Sequence, residues 1–191
     1  CQDYDIECFN ISIEEFEKAM MHLGAEGVGK SFFVYKFHHL DISLPRKETK
    51  VGKGHKGFRV MLAGSEKEAS KRRDFTINAL MYDLKKEQIL DFWNGLADLR
   101  QKLLRVVDEK SFAEDSLRVL RAMQFAARLG FKVEKNSCRL CQNISLDDLP
   151  KERIFLEFEK MFKGTHLHYG LYYLYALGIA KKLFNETLDR K

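Results

Sequence analysis

The hydrophobic period of this chain changes once, near Phe112, and that change restricts the fold more than any other feature. Before it, short runs of branched and aromatic residues alternate with helical pieces. Beyond it, strand signals largely vanish and apolar residues recur at helical spacing. Asp3 to Phe9 reads as a strand. Ser12 then opens a helix, with Glu15 three residues on at the spacing of a capping box. Phe16, Ala19, Met20 and Leu23 follow as its apolar positions, and Gly24 stops it. Phe32 to Phe37 and His39 to Leu44 read as two further strands, the second ended by Pro45, which lacks the N–H that a ladder requires. After Phe112, Leu117, Leu120 and Ala127, with Val119 and Phe125 less regularly, mark the buried side of a long helix that ends at Gly130. Ile154, Phe155, Phe158, Met161 and Phe162 form a second helical set, and Leu167, Leu171, Leu174, Tyr175 and Ile179 a third. The pattern predicts a small α/β head followed by an all-α extension, with no internal repeat.

A chain of 191 residues can bury one sizeable core or two small ones. No apolar run approaches the roughly 18 to 20 residues of a membrane-spanning helix, and no signal peptide opens the chain. The first residue is Cys1, directly before a strongly patterned segment, so an upstream piece is expected to be missing. The formal charge is +5, but its distribution is more informative. Acids outnumber bases from Cys1 to Asp41, whereas Ser43 to Arg59 carries Arg46, Lys47, Lys50, Lys53, Lys56 and Arg59 against Glu48 alone. An acidic segment beside a basic, glycine-containing one suits a metal site next to a polyanion-binding loop. Cys138 and Cys141 have the spacing of a metal half-site without a second pair, and they read as buried structural thiols in a helix, which fits a reducing cytoplasm.

Asp3 and Asp5 stand two apart on an expected strand, so both project from one face. Paired carboxylates repel unless a cation lies between them, and a hard divalent ion such as Mg2+ is the natural partner. Asp41 reaches the same place if its strand is a neighbour, and three carboxylates can hold two metal ions. A solvated Asp-x-Asp loop and a strand-edge Asp41 remain the plainer readings. Further on, Arg72, Arg73, Asp74 and Asn78 stand among Phe75, Ile77 and Leu80. Paired arginines bind phosphate, while Asp and Asn can bond sugar hydroxyls. The same string also suits a charged helix start capped by Asp74. Glu114 and Asp115 open the long helix, and Arg118 lies one turn from Asp115 on the same face. An acid and a planar donor fork can read a base edge, with Arg121 one turn on toward a triphosphate. A surface ion pair between Asp115 and Arg118 is the alternative.

These segments, in this order, resemble the class II tRNA nucleotidyltransferase and bacterial poly(A) polymerase family. The matching strings are Asp3-Tyr4-Asp5-Ile6-Glu7, Asp41 to Arg46, Gly54 to Phe58, Arg72 to Leu80, Asp91 to Leu99, Phe112 to Phe131 and Leu149 to Ile154. The resemblance implies a mixed-sheet nucleotidyltransferase head, N-terminally truncated, followed by a helical neck and body. The expected boundaries are 1–107 for the head, 108–163 for the neck and 164–191 for the start of the body. It implies that Asp3 and Asp5 carry Mg2+, with Asp41 as a third carboxylate, and that Arg73, Asp74 and Asn78 belong to a ribose-binding motif. Asp115 and Arg118 would select CTP and then ATP, and Arg121 would assist the phosphates. Arg72 and Glu114 complete the candidate set as neighbours of these groups.

Two departures accompany the resemblance. The family's Gly-Gly phosphate motif, which precedes the first carboxylate pair, is absent. Gln124 stands where the family continues its arginine row, which weakens that contact or shifts it to Arg128. The implied activity is addition of CCA to the acceptor end of tRNA from CTP and ATP. Poly(A) polymerase and a catalytically silent RNA-binding relative are the rival readings.

Overall fold

Alternating apolar and polar residues build a four-stranded mixed sheet in the first of two units into which the chain divides, Cys1–Ala69 and Ser70–Lys191. The computed structural model describes residues 4–28, 33–50 and 58–185. The sheet comprises β1 (Tyr4–Glu7), β2 (Glu26–Gly27), β3 (Val34–Phe37) and β4 (Leu40–Ser43), in the order β1-β4-β3-β2. β1 runs parallel to β4, and the other two pairs are antiparallel. A parallel pair needs a crossover, and α1 (Ile13–Leu23) forms part of it. The expected capping box is present: Ser12 Oγ accepts from the Glu15 N–H, and the Glu15 carboxylate accepts from the Ser12 N–H. Phe16 and Met20 of α1 pack on Ile42 and Leu44, with Ile6, Tyr35 and Phe37 around them. The residues between, Asp5, Asp41 and Lys36, therefore belong to the opposite face of the sheet.

The basic stretch after Pro45 begins as a strand rather than a loop. β5 (Arg46–Lys50) pairs antiparallel with β6 (Phe58–Leu62). Gly54 to Gly57, with Lys53 and Lys56, lie outside the described residues.

α2 (Glu66–Lys71) leads into the second unit, where β7 (Met81–Asp83) and β8 (Gln88–Leu90) form a hairpin. Then come α3 (Gly95–Gln101), β9 (Leu103–Leu104), α4 (Glu109–Ala113) and the long α5 (Leu117–Leu129). β10 (Lys132–Val133), α6 (Lys135–Asn143), α7 (Lys151–Phe162), α8 (Leu167–Ala176) and α9 (Ile179–Phe184) complete it. The core forms around α5, whose Leu117, Val119, Leu120, Ala122, Met123, Ala126 and Ala127 are all buried. Helices α7 and α8 pack against it. The third helical set of the sequence is two helices, broken at Gly178, whose φ of +72° ends the run of right-handed backbone. β9 and β10 form a two-residue parallel pair, of which β10 lies inside the segment expected to be helical. Burial, the largest cause, raises the Cys138 thiol to about 11 and the Cys141 thiol to about 12. Both are thus neutral near pH 7 and pack in the core. Among the described residues no helix is long and apolar enough to cross a membrane.

Gly95 fixes a close approach. Asp91 caps α3 by accepting from the Gly95 and Leu96 N–H groups at 2.7 and 3.0 Å. A Cβ on Gly95 would overlap the backbone oxygen of Thr76. Gly95→Ala should therefore lose about 1–3 kcal/mol through forced backbone displacement, read as a lower urea midpoint. Gly64→Ala, where the nearest atom is 3.7 Å away, should leave the midpoint nearly unchanged. Equal midpoints for the two variants would refute the close approach.

Candidate functional site

The first unit carries a strip of carboxylates. In the β1–β4 ladder Asp5 stands in register with Asp41, and across β3–β4 Asp41 stands in register with Lys36. Lateral neighbours in a sheet share a face, and like charges directly opposite each other are destabilising. Lys36 Nζ lies 3.5 Å from Asp41 Oδ1 and offsets one of the two charges. The expected neighbour relation of the Asp5 and Asp41 strands is thus realised, whereas Asp3 lies outside the described residues. Among the described residues no three His, Cys, Asp or Glu side chains converge into a metal site. The two in-register carboxylates nevertheless fit a hard divalent cation by donor chemistry, since both offer charged oxygens from one rigid ladder.

The second unit assembles the other candidates around α5. The segment from Arg72 to Leu80 is not a capped α-helix; its only regular element is a three-residue 3-10 turn at Thr76–Asn78. Asp74 is buried, and its Oδ1 accepts from the Phe75 N–H and from Asn78 Nδ2, each at 2.9 Å. Its Oδ2 accepts from Arg121 Nε at 2.6 Å. Three donors therefore orient one carboxylate, and a hydrogen-bonded buried charge of this kind is costly to break. Arg118 grips the same segment from the helix: its Nη2 donates to the Arg72 carbonyl and its Nη1 to the Ser111 carbonyl, both at 2.7 Å. Asp115 Oδ1 accepts from the Leu117 N–H at 3.2 Å, and its Oδ2 lies 3.8 Å from Arg153 Nη2 on α7. Glu114, Arg72 and Arg73 are half-buried beside these groups in sequence.

Phe125 separates two arginines, with the guanidinium carbon of Arg121 5.0 Å and that of Arg128 5.9 Å from its ring centroid. Gln124 is 1% exposed, and its Oε1 accepts weakly from Arg128 Nη1 at 3.5 Å. Arg128 is exposed and Gln124 is not.

Several positioning residues escaped the sequence reading. Asp98 is buried and accepts from Thr76 Oγ1 at 2.7 Å and from Arg105 Nε at 3.1 Å. Trp93 Nε1 donates to Ser70 Oγ at 2.9 Å. Both lie in the string Asp91 to Leu99, which marked the resemblance without showing which of its residues hold the neighbouring turn. Arg153 lies in the string Leu149 to Ile154, which likewise marked the resemblance without showing that it reaches Asp115, 38 positions away.

Comparison with known proteins agrees with this architecture. Residues 2–105 match the family described as poly A polymerase head domain, and residues 130–190 match one described as probable RNA and SrmB-binding site of polymerase A. A multifunctional CCA protein of Pasteurella multocida is 40% identical over 179 residues, covering 87% of this chain and 42% of that protein. The CCA-adding enzyme of Thermotoga maritima complexed with tRNA superposes with a TM-score of 0.77 at 25% identity, covering 98% of this chain and 45% of that one. The Bacillus stearothermophilus CCA-adding enzyme in complex with CTP gives 0.67 at 28% identity, over 78% of this chain and 38% of that one. The chain thus spans less than half the length of these relatives. With the family match extending over more than half of its residues, and mixed-sheet and helical parts in the same order, the chain belongs to the poly A polymerase head-domain family of nucleotidyltransferases.

Proposed function

We propose that this chain is the catalytic part of a tRNA nucleotidyltransferase that adds CCA to the tRNA acceptor end from CTP and ATP in the cytoplasm. The observation that carries the reading is the register of Asp5 with Asp41 on one face of a parallel ladder. Relatives named as CCA-adding enzymes support the choice of substrate. Asp3, Asp5 and Asp41 are assigned to hold Mg2+, which when bound would polarise the α-phosphate and stabilise the departing pyrophosphate. The residues themselves orient the reactants, the main source of rate in such a transfer.

Arg73, Asp74 and Asn78 are assigned to the ribose side of the nucleotide. Because the Asp74 carboxylate is engaged by Arg121, Asn78 and the Phe75 N–H, its role is to fix the segment rather than to offer free oxygens. Arg121, bound to Asp74 through Nε, retains its terminal NH2 groups for phosphate. Asp115 and Arg118 are assigned to base selection, Arg72 and Glu114 to support of those groups. Arg128 takes the phosphate contact in place of Gln124, whose side chain is buried. The assigned boundaries are 1–107 for the head, 108–163 for the neck and 164–191 for the start of the body.

Poly(A) polymerase is the second reading, favoured by the description of the matching head family. Full-length protein incubated with tRNA lacking its last three nucleotides, and with each labelled nucleotide, separates the two. Ordered addition of C, C and A is expected; a long A-only tail would defeat the reading, and no incorporation would favour a silent relative. Asp5→Ala should abolish incorporation with an unchanged circular dichroism spectrum, and surviving activity would remove Asp5 from the metal site. Arg118→Ala should lower discrimination between CTP and ATP at least tenfold, the scale of one lost bidentate base contact. Unchanged selectivity would leave Arg118 as a strut between the Arg72 and Ser111 carbonyls.

A further inference from the structure

The charged row on the first unit's sheet has a member that the catalytic reading leaves unused. Register sets Asp5, Asp41, Lys36 and Glu26 side by side on β1, β4, β3 and β2. Lys36 is thus flanked by two carboxylates, and its Nζ stands 3.5 Å from Asp41 with side-chain exposures of 56% and 42%. An ion pair this exposed contributes little to folding. Its position matters more, because it places a positive charge beside Asp41, the register partner of Asp5, where a second cation would bind.

We propose that Lys36 is a specificity-determining residue of the carboxylate strip. It disfavours capture of a bare divalent cation and favours capture of the cation together with a nucleotide polyphosphate. The inference rests on the metal assignment made above. A bare cation that takes Asp41 must displace the ammonium or sit within several ångströms of it. At roughly 6 Å, even with water-like screening, that repulsion changes a dissociation constant by up to about tenfold. A polyphosphate reverses the sign: it carries more negative charge than the cation neutralises, and Lys36, released from Asp41, is drawn to it. Lysine suits this exchange because its ammonium is a mobile point charge on a long stem, held here by a single partner distance rather than a rigid fork.

The test uses full-length protein and Mn2+ as the probe, with binding read by calorimetry or by electron paramagnetic resonance. Lys36→Gln should bind bare Mn2+ about three- to tenfold more tightly than the wild type. It should bind the Mn2+ complex of a non-hydrolysable CTP analogue several-fold more weakly. Lys36→Arg, which keeps the charge, should stay close to the wild type in both titrations. If Lys36→Gln leaves bare Mn2+ affinity within twofold of the wild type, the proposal is overturned and Lys36 is a cross-strand partner only. Asp5→Asn separates this from failure of the underlying reading. Should that variant also bind Mn2+ as the wild type does, the metal assignment itself falls, and the proposal with it.

Discussion

The stretch from Arg72 to Leu80 has almost no regular secondary structure, so its shape depends on what holds it, above all the bond between Arg121 Nε and Asp74 Oδ2 at 2.6 Å. A carboxylate as buried as Asp74 is costly without a partner. Arg121 supplies that partner from the middle of α5, a helix whose own position is set by burial on several sides. The same helix reaches the segment a second time, through Arg118 and the Arg72 carbonyl. Phe75 anchors it between these ties, fully buried and in edge contact with Phe112 and Phe125. Thr76 is held from the other side by Asp98 and by the Arg105 carbonyl. A loop fixed by so many side chains presents its remaining polar groups in one geometry, which is the condition for orienting a substrate.

The first unit solves a different problem with a different device. There the groups of interest lie on a ladder, and the alternation of strand side chains does the positioning. Ile6, Tyr35 and Ile42 turn toward α1 and form the core, which obliges Asp5, Asp41 and Lys36 to occupy the other face. Charge and core are thus consequences of one pattern. A one-residue slip of β1 against β4 would exchange them, so the apolar face fixes the carboxylate register as well.

Much of this was legible in the chain because it depends on local pattern. The capping box at Ser12, the end of α1 at Gly24 and the long helix to Gly130 follow from residues within a few positions of each other. That Asp41 could meet Asp5 was legible only as a condition, since strand neighbours depend on the crossover. The misses share a physical cause. β5 was hidden because Arg46 to Lys50 carries charge instead of branched apolar residues, and a ribbon strand gains its stability from its partner. The two-residue β9–β10 pair is too short to have a period. The break between α8 and α9 lies within a run whose apolar spacing continues across it. At the site, Asp74, Arg118 and Arg121 were marked by residue type. Their use of one another and of backbone carbonyls, and the support from Asp98 and Arg153, arises only when distant segments pack.

The dependence of the Arg72–Leu80 segment on Asp74 and Arg121 is most directly tested by a double-mutant cycle of Asp74→Ala and Arg121→Ala. Urea unfolding would be followed by fluorescence of Trp93, the single tryptophan, which lies in the same unit. A coupling free energy of about 1.5 kcal/mol or more is predicted, with the double variant far less destabilised than the sum of the single ones. Additive losses, with coupling below about 0.5 kcal/mol, would contradict the account.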